Sequence, residues 1–294
     1  MKMKKFKWSS IPIYFLLISF ALTIVLSFLL VVSVSLTSQQ DISTYGFMLW
    51  PKKIDFSAYQ YAFENMTGIF NAYKISIIYT VVGTFLSVLI MSMLAYALSR
   101  KEFVLRKGLA FYVFFTMLFS GGLTPSYILI TQYLQIQNTI WVLILPTLVN
   151  CFHVIMLRTF FQQVPQSLFE SAKLDGASEF RMFFNIAIPL SKSVIATVAF
   201  MGVITRWNDW FAPKLYISEE ELYPIQYILQ SMLANVQFAL DMMEQMPTTI
   251  SAIDVPQENL RMALMVITSA PMLFVFPFFQ KYFVRGITVG SIKG

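Results

Sequence analysis

Charge is scarce in this chain. Only 12% of its 294 residues are Asp, Glu, Lys or Arg, against about 25% in soluble domains, so the chain is built for lipid. Cysteine occurs once, as Cys151, which excludes an intramolecular disulfide. Histidine also occurs once, as His153, which excludes a multi-histidine metal site. Both fall in an apolar run where packing is the default role. No Gly-x-x-x-x-Gly-Lys-Ser/Thr loop is present, so the chain cannot hydrolyse ATP by the usual P-loop route. A His-Glu-x-x-His pattern, a Gly-x-Ser-x-Gly elbow and a nucleophile–base pair are equally missing, which speaks against a membrane-embedded enzyme. Internal repeats and low-complexity tracts are absent too.

What the sequence has instead is apolar length. Hydrophobic residues make up 57% of the chain, and the mean hydropathy is +0.66. A spanning helix needs roughly 20 apolar residues. Six stretches qualify, at about 11–36, 75–98, 108–130, 139–160, 193–212 and 260–280. Alternating segments of about 10 residues, the mark of a membrane barrel, are not seen, so the spans are helical. The expected fold is all-α and polytopic.

Charge orients the spans. With the N-terminus in the cytoplasm, the inner segments hold Lys2, Lys4, Lys5 and Lys7, then Arg100, Lys101, Arg106 and Lys107. They go on to hold Arg158, Lys173, Arg181 and Lys192, and finally Lys281, Arg285 and Lys293. Of 21 basic residues only Lys52, Lys53, Lys74, Arg206, Lys214 and Arg261 lie outside or at outer helix ends. The positive-inside rule therefore puts both termini in the cytoplasm. The net charge of +6 follows from topology and does not point to nucleic acid. The basic start followed by an apolar run resembles a signal peptide, but the run continues uncharged from Ile11 to Leu36, longer than the roughly 7–15 residues of a signal core. An uncleaved first span is expected.

Between spans, a first outer loop is expected over about 37–74. A breaker cluster, Gly121, Gly122, Leu123, Thr124 and Pro125, ends the third span. The last outer loop, about 213–259, has apolar residues at 225, 228, 229, 232 and 233, the spacing of an amphipathic surface helix. Met246–Thr249 and Asp254–Pro256 read as extended loop. One membrane domain over 1–294 is expected.

The densest information lies in a polar island over about 163–190. Pro165 suits a first helical turn. Leu168, Phe169 and Ala172 share a face, leaving Glu170 and Lys173 on the other. Asp175 and Gly176 close the helix, glycine supplying the left-handed residue. Ser178 is an N-cap for a second helix, in which Phe180, Phe183, Phe184 and Ala187 form an apolar stripe. Pro189 is expected to stop it. By periodicity alone, an amphipathic helix resting on inner headgroups fits equally well.

The residues of the island carry a resemblance. Glu170, Ser171, Ala172, Asp175, Gly176, Phe183, Ile186 and Pro189 stand as in the "EAA" loop of ABC importer permeases. Ser171 replaces the usual first alanine, Ile188 a leucine, and Ser193 a proline often found past the motif. Gly121–Tyr127, Asn138–Pro146, Trp207–Trp210 and the tail Val284–Gly294 add to it. Together they resemble the carbohydrate importers of the maltose-permease G-subunit type, nearest to subunits handling complex or uronate-containing oligosaccharides.

The resemblance implies a type I importer transmembrane domain, multi-pass in a bacterial plasma membrane, working by alternating access. It implies a second, related permease subunit, two ATPase subunits and an extracellular sugar-binding lipoprotein as partners, an oligosaccharide as substrate, and no nucleic acid. ATP and Mg would sit on the ATPase subunits, with no cofactor on this chain. The loop around Glu170–Pro189 would dock in a cleft of the ATPase, and the last outer loop would touch the binding protein. The tail resembles those that reach the ATPase interface, a disordered terminus being the other reading. For the sugar path the candidates are Asn150, Trp207, Asn208, Asp209 and Trp210, since aromatic faces, amides and carboxylates bind sugars. An interfacial aromatic belt explains the last four as well. Two alternatives stand beside this reading: an ion-coupled secondary transporter, disfavoured by the near absence of mid-span ionisable residues, and an ABC permease for a non-sugar solute.

Overall fold

The computed structural model describes residues 11–65, 68–234 and 258–290. Among these every regular element is helical. The basic start at residues 2–7, the stretch 235–257 with both expected extended segments, and the tail at 291–294 lie outside the described residues.

The chain forms two compact units, one from residues 1–69 and 229–271, the other from 70–228 and 272–294. The first unit opens with α1 (Ile11–Ser35), long and apolar enough to cross a membrane. Its apolar window buries nothing against the rest of the chain. Only Ser33, Val34 and Ser35 at its end are buried. There Ser33 Oγ donates to the Met48 carbonyl at 2.8 Å, and Ser35 Oγ lies 2.8 Å from Tyr59 Oη. The loop expected after α1 contains two helices, α2 (Gln39–Tyr45) and α3 (Ser57–Asn65). Ser38 caps α2 by accepting from the Asp41 N–H at 3.2 Å, a Ser-x-x-Asp signature readable in sequence.

The second unit is built on α4 (Ile69–Ser99), the one unbroken span within it. The expected span at 75–98 is a part of this longer helix. The expected span at 108–130 is not one helix: α5 (Arg106–Leu118) and α6 (Leu123–Ile128, continued by a π turn over Leu129–Tyr133) meet at 113°. Gly122, at φ +86°, permits the turn. Pro125 sits in the first turn of α6, where its missing N–H costs nothing.

The span expected at 139–160 divides into α7 (Ile140–Ile144, tightening to a 3₁₀ turn over Leu145–Thr147) and α8 (Cys151–Phe161), bent by 50°. After the polar island, with α9 (Gln166–Leu174), α10 (Glu179–Met182) and α11 (Ile188–Leu190), comes α12 (Lys192–Trp207). The span expected over 193–212 stops at Trp207 and resumes as α13 (Phe211–Tyr216). Asp209 makes that break, its Oδ1 accepting the N–H groups of Phe211 and Ala212 at 3.1 Å each. The surface helix expected in the last loop is present as α14 (225–234), with Ile225 and Leu229 buried. The last span is α15 (Glu258–Gly290), longer than the expected 260–280.

Two apolar clusters organise the second unit. One gathers Val154, Leu157 and Phe161 of α8 with Phe169, Met182 and Phe183 of the island. The other gathers Val142, Leu143 and Ile144 of α7 with Tyr79, Tyr216 and Ile217.

Candidate functional site

The island begins only partly as the sequence suggests. Phe169 is buried and Ala172 packs partly against the first cluster. Leu168, expected on the same face, is 44% exposed, because the face of α9 turned to the core is centred on Phe169. Pro165 is not in the first helical turn; it precedes α9 in extended geometry, where its fixed φ is equally at home. Glu170, Ser171 and Asp175 face solvent. The helix ends in a Schellman motif: the Ala177 N–H donates to the Ala172 carbonyl at 2.9 Å and the Gly176 N–H to Lys173 at 3.1 Å. Gly176 has φ +76°, which a residue with a Cβ adopts only at a cost.

Ser178 caps α10, accepting from the Arg181 N–H at 3.3 Å. The expected phenylalanine stripe is then corrected. Phe183 is 2% exposed and Ala187 is fully buried, whereas Phe180 is 64% and Phe184 50% exposed. Met182, outside the expected stripe, is buried with Phe183. The reason is a π turn over Phe183–Ala187. Its wider i→i+5 winding swings Ala187 back towards Met182 and Phe183, leaving Phe180 and Phe184 together on the opposite side. Pro189, which cannot donate a helical N–H, lies just past this turn. It does not stop the helix. The chain continues through Leu190 and turns by 84° into α12 at Ser191.

The island is gripped by the end of α4. Tyr96 packs among Phe161, Phe169 and Phe183, with ring centroids 6.3, 6.1 and 5.4 Å away. Its hydroxyl donates to Glu179 Oε2 at 2.8 Å. Arg100, one turn on, lies 4.3 Å over the Phe169 ring, 3.8 Å from the Glu179 carboxylate and 3.7 Å from Glu102. Glu102 is held below the usual carboxylate range, first by a hydrogen bond from its own backbone N–H and then by Arg100, Lys173 and Lys101. At the end of α8, Arg158 Nε donates to the Leu98 carbonyl at 3.2 Å. A cleft of about 400 Å³ opens beside this grip, lined by Tyr96, Arg100, Glu102, Glu179 and Phe180 among others. The sequence reading missed Tyr96 and Arg100, although an aromatic and a cation four residues apart at a span's inner end were visible.

The sugar-path candidates fare differently from one another. Asn150, which falls within the fourth expected span, is exposed at the α7–α8 break and caps α8, accepting from the His153 N–H at 3.1 Å. Trp207 is 5% exposed and packs near Tyr73, which suits a core residue better than a belt. Asp209 caps α13 and also accepts from the Tyr79 hydroxyl at 2.9 Å. Asn208 is exposed, donating to the Ile204 carbonyl at 2.8 Å. Trp210 is half-buried edge-on to Phe211, with Lys214 Nζ 5.8 Å from its ring. Arg206, placed by sequence outside or at an outer helix end, is 5% exposed in the last turn of α12. Among the described residues no three His, Cys, Asp or Glu side chains cluster as metal ligands.

A helical membrane chain with broken spans and a capped two-helix island matches the family model for the binding-protein-dependent transport system inner membrane component over residues 6–289. The chain belongs to this family. Among relatives of this membrane component is the polygalacturonan/rhamnogalacturonan transport system permease protein YtcP of Bacillus subtilis (strain 168). It is 38% identical over 282 residues, covering 96% of this chain and 97% of that protein. Protein LplC of the same organism is 38% identical over 270 residues, 92% of this chain and 90% of its own length. A solved bacterial ABC transporter involved in the import of the acidic polysaccharide alginate contains a chain with a TM-score of 0.82 and 27% identity. The match covers 96% of this chain and all of that one. The fold is that of a type I importer transmembrane domain. This component belongs to the membrane part of an ABC importer, and the ion-coupled alternative falls away.

Proposed function

We propose that this permease component moves a uronate-bearing oligosaccharide through the membrane by alternating access, with both compact units acting as one permease domain. The substrate class is supported by two relatives named for acidic polysaccharides, polygalacturonan/rhamnogalacturonan and alginate. The partners are a related second permease subunit, two ATPase subunits that hold ATP and Mg, and an extracellular sugar-binding lipoprotein. The oligosaccharide path uses the accessible candidates Asn150, Asn208 and Trp210, with Trp207 and Asp209 supporting them.

The observation that carries the coupling role is the two-sidedness of the island. Phe169, Met182, Phe183 and Ala187 root it in the same core as α4 and α8. Leu168, Leu174, Phe180 and Phe184 stand exposed on its free side, near the exposed Glu170, Ser171 and Asp175. Exposed apolar groups rimmed by charge are the composition of a protein interface. We assign that side to the ATPase subunit, with Ile186 and Pro189 shaping the return to α12. Binding energy spent there reaches the spans because the other side is their core, which makes the island the coupling element of a rigid-body switch.

The test is co-purification and uptake. The double variant Phe180→Ser/Phe184→Ser should release the ATPase subunit while the permease pair stays folded. Retained ATPase at wild-type stoichiometry would remove the island's free side from the interface. Uptake of a galacturonate oligosaccharide into proteoliposomes, with neutral maltodextrin as control, tests the substrate class.

A further inference from the structure

The bend between α7 and α8 is the place where this span should be weakest. After the 3₁₀ turn at Leu145–Thr147 the helix lapses and restarts at Cys151, so backbone carbonyls lose their helical partners inside the membrane. Two of them are met by side chains from other spans. Arg206 Nη2 of α12 donates to the Thr147 carbonyl at 2.8 Å and lies 3.3 Å from its hydroxyl. Ser87 Oγ of α4 donates to the Leu148 carbonyl at 2.7 Å. On the far side of the bend Asn150 caps α8, and its own N–H points to Met91 Sδ of α4 at 3.3 Å.

The space for Arg206 is made by glycine. A Cβ on Gly83 of α4 would stand 2.7 Å from Arg206 Nε, and one on Gly202 would stand 3.1 Å from Nη1 and 3.3 Å from Thr84 Cγ2. Those two positions make room for the guanidinium where a Cβ would crowd it. A cation at a helix C-terminus also offsets its dipole, and an intramembrane arginine without such work would be costly.

Resting on the coupling role proposed above, we infer that Arg206 is a positioning residue that makes the α7–α8 bend a rigid elbow. The lower arm, α8, shares its core with the island through Val154, Leu157 and Phe161. The upper arm, α7, sits in the other cluster through Val142, Leu143 and Ile144. With the bend clamped from α12 and α4, the arms swing as one lever. Motion of the island then arrives at the upper cluster instead of being absorbed at the break.

The chain carries its own reporter. Cys151, its single cysteine, is the partly buried first residue of α8, packed against the first cluster with its Sγ 3.0 Å from Thr116 Oγ1 of α5. The assembled importer is reconstituted, treated with N-ethylmaleimide without ATP or trapped with ATP and vanadate, and the mass of this chain is followed. In the wild type Cys151 should label slowly and at the same rate in both states. In Arg206→Met, labelling should become about tenfold faster in one state, as expected when a charge-assisted hydrogen bond at a buried carbonyl is lost. Sugar moved per ATP should fall by a similar factor. Gly83→Ala, which keeps the charge but displaces the guanidinium, should do the same, and it decides the matter if Arg206→Met does not assemble. Ser87→Ala, which removes only a hydroxyl, should give a smaller change of the same sign. Arg206→Lys should recover part of the loss. Wild-type labelling and coupling in Gly83→Ala and Ser87→Ala would overturn the elbow. A wild-type complex that hydrolyses ATP but imports no oligosaccharide would instead overturn the transport reading, and the labelling comparison would still judge the elbow.

Discussion

Gly176 offers a graded perturbation of the island. Its φ of +76° is set by the Schellman bonds from Gly176 and Ala177 back to Lys173 and Ala172. A Cβ there would meet nothing within 4 Å, so substitution is not opposed by crowding. The cost is conformational alone. Alanine in the left-handed region costs about 1–2 kcal/mol, which lowers the ratio of closed to open knuckle roughly 5–30-fold. Asparagine tolerates this region better and should cost less. Proline cannot reach it, since its ring holds φ near −65°, and it deletes the N–H that bonds Lys173; about 3 kcal/mol or more is expected. The four residues should therefore rank Gly, Asn, Ala, Pro in oligosaccharide imported per ATP hydrolysed in proteoliposomes. Assembly should be retained, because both lost bonds are local. The reasoning is refuted if Gly176→Pro couples as the wild type does, or if Asn and Pro are equally damaging.

Tyr96→Phe deletes the hydroxyl that bonds Glu179 at 2.8 Å while keeping the ring; a loss of about 1 kcal/mol is expected, seen as lower coupling with unchanged ATPase co-purification. Phe183→Ala opens the core beneath the island and should destabilise the isolated permease pair by about 3–5 kcal/mol, in contrast to the exposed Phe180→Ala, which should leave its melting temperature unmoved. A bulky replacement at Ala172, such as Ala172→Leu, crowds the Schellman turn against the first cluster and should reduce coupling with assembly largely intact, checked by uptake per ATP. Asp209→Asn weakens the α13 cap and the Tyr79 bond, so thermal stability should fall by about 1 kcal/mol with little change in the sugar concentration for half-maximal uptake; a large change in that concentration would make Asp209 a sugar contact instead of a support for the path.

The helical class, the existence of six apolar stretches and the island's caps were legible because each rests on local chemistry: length, Gly176 at a turn, Ser178 at a cap. The phenylalanine stripe was misread for an equally local reason. Straight α periodicity cannot anticipate a π turn, and Phe183–Ala187 adopts one just ahead of Pro189. The broken spans were legible in part. The breaker cluster at Gly121–Pro125 marks the bend of 113°, whereas hydropathy reports that 139–160 is apolar and says nothing about the bend of 50° within it. Arg206 and Tyr96 were hidden for another cause. Their partners, Thr147 and Glu179, lie 59 and 83 residues away in the chain, and no spacing rule reaches so far.

That distance has a consequence for how the chain is made. During synthesis the Leu148 carbonyl finds Ser87 waiting in a span already inserted. The Thr147 carbonyl does not, because Arg206 emerges 59 residues later. At about 5–20 residues per second the half-made elbow stays unclamped for roughly 3–12 seconds. Completion of the fourth span is thus tied to delivery of the fifth. A pause in translation between the two would hold the protein at its least lipid-compatible stage, the moment when a membrane chaperone or protease has most to grasp.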